Sequence, residues 1–150
     1  MKYICLVYHR EEDLLDMPDG ELDAVMAECN QWVGDMEASG HHVVSSALQS
    51  VRSATTLRYR DGKMLVTDGP FAETKEFLGG FTILEARDLN EAISLASRMP
   101  VTRTGTLEVR PILDAEVVSN DRLDSKLIAA FHREDHGAFT STGSEEAPSK

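Results

Sequence analysis

The chain is 150 residues long, the size of one domain, and 41% of it is hydrophobic, enough for a single core. Its formal net charge of −11 repels phosphate backbones and anionic lipid headgroups, so neither nucleic acid nor membrane is expected as a partner.

Tyr3-Ile4-Cys5-Leu6-Val7-Tyr8 is apolar throughout. It is too short for a signal-peptide core or a membrane span, and it reads as a strand buried on both faces in the middle of a sheet. Cys5 and Cys29 lack metal-ligand spacing and read as buried, reduced thiols, which implies a cytoplasmic protein. A charged loop is predicted over His9 to Asp16. The first helix is then expected from Asp19, its N-cap, to Ser39, with Glu21 and Asp23 facing the positive end of the dipole. Leu22, Val25, Met26, Cys29, Trp32, Val33 and Met36 recur at steps of three and four, a stripe for the core. Gly40 is placed to end the helix in a left-handed conformation.

A second strand is predicted over Val43 to Leu48. Thr56 to Arg60 and Lys63 to Thr67 flank Asp61-Gly62, the strongest short hairpin signal, which pairs Tyr59 with Met64 and Leu57 with Val66. The loop from Asp68 to Glu76 follows, then a strand over Phe81 to Leu84 led in by Gly79-Gly80. Asp88-Leu89-Asn90-Glu91 has capping-box spacing. It opens a helix that carries Leu89, Ala92, Ile93, Ala96 and Met99 inward and stops at Pro100. Thr106 to Ile112 is the last strand, held to a sheet edge or strand end by Pro111. Met26, Met36, Met64 and Met99 read as packing.

Without the hairpin the order is βαββαβ. The expected fold is therefore α+β and ferredoxin-like, an antiparallel sheet with an inserted β-hairpin and both helices on one face. The other face is left for a partner. Residues 1–113 form the domain. Residues 114–136 form an extension, with one more helix predicted over Asn120 to Arg133, capped by Asn120 or Asp121. Residues 137–150 are a polar, acidic tail expected to stay disordered.

The loop Asp68-Gly69-Pro70-Phe71 gathers Asp68, Glu73, Lys75 and Glu76 between two strands, and a carboxylate beside an ammonium can serve as an acid/base pair or anchor a polar ligand. We single out Asp68 as candidate catalytic residue, and Tyr8, Gly69, Pro70, Phe71, Lys75 and Arg110 as candidate ligand contacts, with any pocket near this loop. The same residues also read as a plain turn, in which Asp68 caps, Gly69 supplies positive φ, Pro70 presets the bend and Phe71 plugs the core. His132 and His136 stand four apart, but Arg133 occupies the place where the zinc-protease signature needs Glu, so no metal is expected. His42 reads as a lone hydrogen-bonded histidine. No phosphate loop, GxGxxG, nucleophile elbow or CxxC pair occurs, and no cofactor is expected.

Leu65 to Glu76 with Leu78-Gly79-Gly80-Phe81 resembles the DGPF branch of the YCII-related proteins. Met1 to Tyr8, the Arg60–Lys63 turn and Val109-Arg110-Pro111 match that family's other segments. The resemblance covers residues 1 to about 113 and implies a homodimer of the dimeric α+β barrel superfamily. Its members include muconolactone isomerase-like lyases, chloromuconolactone dehalogenases and cofactor-free monooxygenases, with ligands held between the sheet and the helices or loops. It implies a small-molecule-binding or cofactor-free lyase or isomerase-like enzyme. The family's His in the first helix, paired with an Asp, has no counterpart here, where Glu28 and Cys29 fall near its place. The resemblance also implies an alternative, a non-catalytic accessory protein whose partner is an extracytoplasmic-function sigma factor.

Overall fold

The computed structural model describes residues 1–114 and 120–133. The expectations for His136, with Glu134 and Asp135, and for the 137–150 tail lie outside the described residues. Met1–Pro111 make one compact unit, and the chain from Ile112 belongs to a second. The first unit runs β1 (Lys2–His9), α1 (Glu11–Leu15), α2 (Glu21–Ala38), β2 (His42–Ala47), β3 (Thr55–Arg60), β4 (Lys63–Asp68), β5 (Phe77–Glu85), α3 (Leu89–Ala96) and β6 (Thr106–Pro111). Short 3₁₀ turns occupy Val51–Ser53 and Pro100–Arg103.

The main sheet has the order β2-β5-β1-β6, with every neighbouring pair antiparallel. This is the ferredoxin-like order. β1 is central and β6, which carries Pro111, is an edge. Tyr3, Cys5 and Val7 of β1 face the same side as Thr82 and Leu84 of β5 and Leu107 and Val109 of β6. Trp32 and Met36 of α2, and Ala92, Leu95 and Ala96 of α3, pack on that side. The Trp32 indole N–H donates to the Leu95 carbonyl at 3.2 Å and ties the two helices together. Ile4, Leu6 and Tyr8 alternate with the core residues and so face the opposite side, beside Phe81 and Ile83.

The hairpin has the expected register. Tyr59 pairs with Met64 and Leu57 with Val66, across a turn whose residues Asp61 and Gly62 have φ of 50° and 74°. It forms a separate two-stranded sheet. Its apolar side chains are not core: Leu57, Tyr59, Met64 and Val66 are all exposed.

Several local expectations are corrected. The charged stretch after β1 is not all loop, because Glu11–Leu15 closes one helical turn and more. Asp19 does not cap α2. The N-cap falls on Gly20, whose φ of 81° turns the chain, and no side chain bonds the first turn. β2 begins one residue early and β5 four residues early, since Phe77 and Leu78 pair with His9 and Tyr8 beyond a bulge at Gly79. In α3 Ala92 and Ala96 are buried as expected and Leu95 joins them, as does Met99 just beyond the helix, while Leu89 and Ile93 are exposed. Asp88 does cap α3, its Oδ1 accepting from Glu91 N at 2.9 Å. This bond holds the Asp88 carboxyl below its usual range. α4 (Arg122–Arg133) lies in the second unit, with Asp121 Oδ1 accepting from Leu123 N at 2.8 Å and Asp124 N at 3.2 Å.

The stripe on α2 divides. Trp32 and Met36 are buried, but Leu22 and Met26 are exposed and Cys29 half-buried. The helix covers the sheet only over its C-terminal turns, and its N-terminal half is one wall of an opening.

Candidate functional site

That opening is a cavity of about 700 Å³ between α2 and the helix-side face of the sheet. Leu22, Val25, Met26, Cys29, Trp32 and Val33 form its helical wall. Val7 and His9 of β1, Ser45 of β2 and Gly79 to Thr82 of β5 form its floor. Leu14 and Leu15 of α1 and the Ser46–Ser50 segment stand at its rim, with Val101, Thr104 and Gly105 beyond. A mainly apolar hollow with a few placed polar groups is the usual form of a small-molecule site.

Two glycines shape the floor around His9. A Cβ on Gly79 would fall 1.8 Å from His9 Cε1, and one on Gly105 would fall 2.4 Å from the Tyr8 carbonyl oxygen. The imidazole therefore lies over the bulge, in space that any larger residue at position 79 would occupy. Its ring makes no hydrogen bond among the described residues, so both nitrogens are available to a ligand.

Glu11, at the start of α1, is locked. Its carboxylate accepts from Val51 N at 2.6 Å and Ser50 Oγ at 2.9 Å. The bond from Val51 N, then that from Ser50, holds the Glu11 carboxyl below its usual range. Because the folded pKa is depressed, the stabilisation is complete above the ordinary carboxylate value and is lost as pH falls through the folded one. Acidification through that window should release the Ser50–Ser53 turn at the cavity rim. The Val51 amide should lose its downfield NMR shift and its exchange protection there while amides of β1 and β5 keep theirs. A Val51 amide insensitive to pH across that range would contradict this.

Burial raises both thiols: Cys5, fully buried in the core, is pushed up to about 11, and Cys29, in the cavity wall, is also raised. Both are free and protonated at neutral pH, and Cys29 is a wall rather than a nucleophile.

The residues singled out from the sequence lie elsewhere. None of Asp68, Gly69, Pro70, Phe71, Lys75, Tyr8 or Arg110 lines the large cavity. Asp68 is the exposed end of β4 and its side chain makes no hydrogen bond among the described residues, so it is not the turn's cap. Gly69 does supply positive φ, 99°, with its N–H donating to Ala54 O at 2.7 Å and its carbonyl accepting from Thr56 Oγ1 at 2.7 Å. Phe71 plugs no core, being 76% exposed. Pro70 and Phe71 border a smaller hollow of about 300 Å³ with Arg58 and Arg60. Arg110 is exposed on β6, 3.7 Å from Glu108. Lys75 is exposed, and Tyr8 points from β1 to the face opposite the helices. The signal for His9 was in the sequence, in the paired glycines 79 and 80 within a strand, which mark a bulge or a close approach. Among the described residues no cluster of three metal-ligating side chains occurs.

The family model for the YCII-related domain matches residues 1–116. The chain belongs to the YCII-related family. An uncharacterised protein of Rhizobium meliloti (strain 1021) is 33% identical over 114 residues, 75% of this chain and 92% of that protein. The solved structure of 5-chloro-2-hydroxyhydroquinone dehydrochlorinase from Burkholderia phenoliruptrix AC1100, in complex with 2,5-dihydroxybenzoquinone, is similar at 18% identity. That match covers 75% of this chain and 93% of the other, with a TM-score of 0.44. In this YCII-related chain no helix among the described residues is long and apolar enough to cross a membrane.

Proposed function

We propose that this YCII-related protein binds a small, largely apolar molecule in the cavity between α2 and the sheet and exchanges a proton with it through the His9 imidazole. This is chemistry of the cofactor-free lyase or isomerase kind. The observation that carries the reading is the unbonded His9 ring laid over Gly79 in an apolar-walled cavity of about 700 Å³. An imidazole with an unbonded nitrogen facing a ligand can serve as a general acid or base. Arg52 at the rim, its Nε 3.5 Å from Ser50 Oγ, adds a cation that favours an anionic head on the ligand.

Trp32, the chain's single tryptophan, lines this cavity and reports its occupancy. Titration with aromatic carboxylates such as salicylate, or with anilinonaphthalene sulfonate, should quench Trp32 saturably. His9→Gln should raise Kd by roughly tenfold, the worth of one hydrogen bond to the ligand. Gly79→Ala should do the same by evicting the ring, with little loss of stability because a side chain rather than backbone must move. Failure of every such probe to quench Trp32 saturably would sink the reading, as would unchanged affinity in both variants.

A further inference from the structure

The cavity has a second polar end. The β2–β5 register shifts between His42↔Leu84 and Val44↔Ile83, leaving Val43 as the extra residue of a bulge. In a regular strand His42 and Ser45, three apart, would point to opposite faces. The bulge turns both to the helix side, the kind of re-aiming that bulges provide. His42 Nε2 then lies 2.8 Å from Ser45 Oγ. His42 Nδ1 lies 3.5 Å from Glu37 Oε1, in the last turn of α2. Ser45 Oγ also shares a 2.9 Å hydrogen bond with Oγ1 of Thr82, which is buried. Ser45 and Thr82 line the cavity. The Ser45–Thr82 row pairs with Cys5, four residues along β1 from His9, and β5 lies between β2 and β1, so the two ends stand roughly 16 Å apart.

We propose that Glu37, His42 and Ser45 form a carboxylate–imidazole–hydroxyl relay that makes Ser45 a nucleophile toward small apolar carboxylic esters. The inference rests on reading the cavity as a ligand site. With the ring proton on Nδ1, the side on which Glu37 stands, Nε2 accepts from Ser45, the arrangement by which a serine hydroxyl is activated. A purely structural His–Ser pair needs neither the carboxylate behind it nor the opening in front.

The step balances with water as the only co-reactant. Ser45 Oγ attacks the acyl carbon while its proton passes to His42 Nε2. The tetrahedral adduct collapses, the acyl–oxygen bond breaks, and the departing alkoxide takes that proton and leaves as the alcohol. Water, deprotonated by the same nitrogen, then attacks the acyl–Ser45 ester and frees the carboxylic acid, and the proton returns to Ser45. The Thr82 hydroxyl is the donor beside the developing oxyanion. One hydroxyl is a sparse oxyanion site, so deacylation should be slow and the covalent adduct should accumulate.

The test is labelling of the full chain with a short-chain alkyl fluorophosphonate, in which Ser45 Oγ displaces fluoride from phosphorus and the proton leaves through His42. Intact-mass and peptide analysis should show one adduct, on Ser45, absent in Ser45→Ala. His42→Gln should slow labelling on the order of 10²-fold, the lower range of general-base contributions. Should His42→Gln fail to fold, Glu37→Gln, at an exposed carboxylate, carries the same test, with labelling slowed several-fold. No adduct on Ser45, or a rate on Ser45 unchanged by whichever relay variant folds, overturns the proposal. Saturable quenching of Trp32 by anilinonaphthalene sulfonate, measured on the same samples, distinguishes the two failures. If quenching persists without labelling, the relay falls and the cavity reading stands. If both are absent, both fall.

Discussion

Replacing Trp32 with alanine should destabilise the domain by about 3–5 kcal/mol, in the range for deleting a large buried aromatic. The side chain is 6% exposed and sits where α2, α3 and the sheet meet. Its loss removes the main contact by which α2 is held down, since Leu22, Val25 and Met26 at the other end of the helix wall a cavity rather than pack. The indole hydrogen bond is the smaller part, because Leu95 O also accepts from Arg98 N at 3.3 Å. Trp32→Phe keeps most of the packing and loses that bond, so its cost should be nearer 1–2 kcal/mol. Urea unfolding followed by circular dichroism would show the midpoint falling in this order with the slope unchanged. A loss below about 1 kcal/mol for Trp32→Ala would mean that α2 is anchored elsewhere.

The second large effect concerns assembly. Ile4, Leu6 and Tyr8 of β1 and Phe81 and Ile83 of β5 form one apolar face, opposite the side on which α2 and α3 pack. We propose that a second copy of the chain covers it, giving a homodimer with sheets face to face. A contact of standard size buries roughly 800 Å² on each partner, and a face of this composition is suited to supply it. Sedimentation equilibrium at micromolar concentration should return twice the 16.6 kDa chain mass. Leu6→Lys, at the centre of the face beside Phe81 and Glu108, places a charge where the partner's apolar face would lie and should give a folded monomer. A parent protein that sediments as a monomer, or a Leu6→Lys dimer, would rule out this mode of association.

The sequence was most legible where chemistry is local. Asp61-Gly62 demands a turn with positive φ at both residues, and that alone fixes the hairpin register. The unbroken apolar run of β1 placed it centrally, and βαββαβ alternation led to the sheet order. The candidate site was not legible, for two physical reasons. Periodicity shows which face of a helix turns inward but not whether that face meets packed side chains or an opening, so the α2 stripe looked uniform although half of it is cavity wall. A dense motif also draws attention to itself. The Asp68–Phe71 loop carries charge and a long signature, yet its side chains are exposed. His9 and His42, each unremarkable in sequence, reach the cavity or its lining through strand bulges beside them. The bulge beside His9 is signalled by Gly79-Gly80 within a strand, whereas the one beside His42 adds Val43 to β2, a change that neither composition nor spacing reveals.

The central position of β1 also bears on the order in which the chain can fold. β1 is flanked by β5 and β6, so the earliest strand of this sheet has both of its neighbours far along the chain, and Tyr3 pairs with Leu84 and Pro111. Joining ends roughly 100 residues apart carries a closure entropy of about 4 kcal/mol before any contact offsets it. The hairpin, by contrast, can close in microseconds from its own turn. Folding of the described domain should therefore begin at Asp61-Gly62 and finish with the pairing of β1 to β5 and β6. A nascent chain still attached to the ribosome before Pro111 has emerged would hold β1 as an apolar strand with one edge unpaired, open to association with other chains.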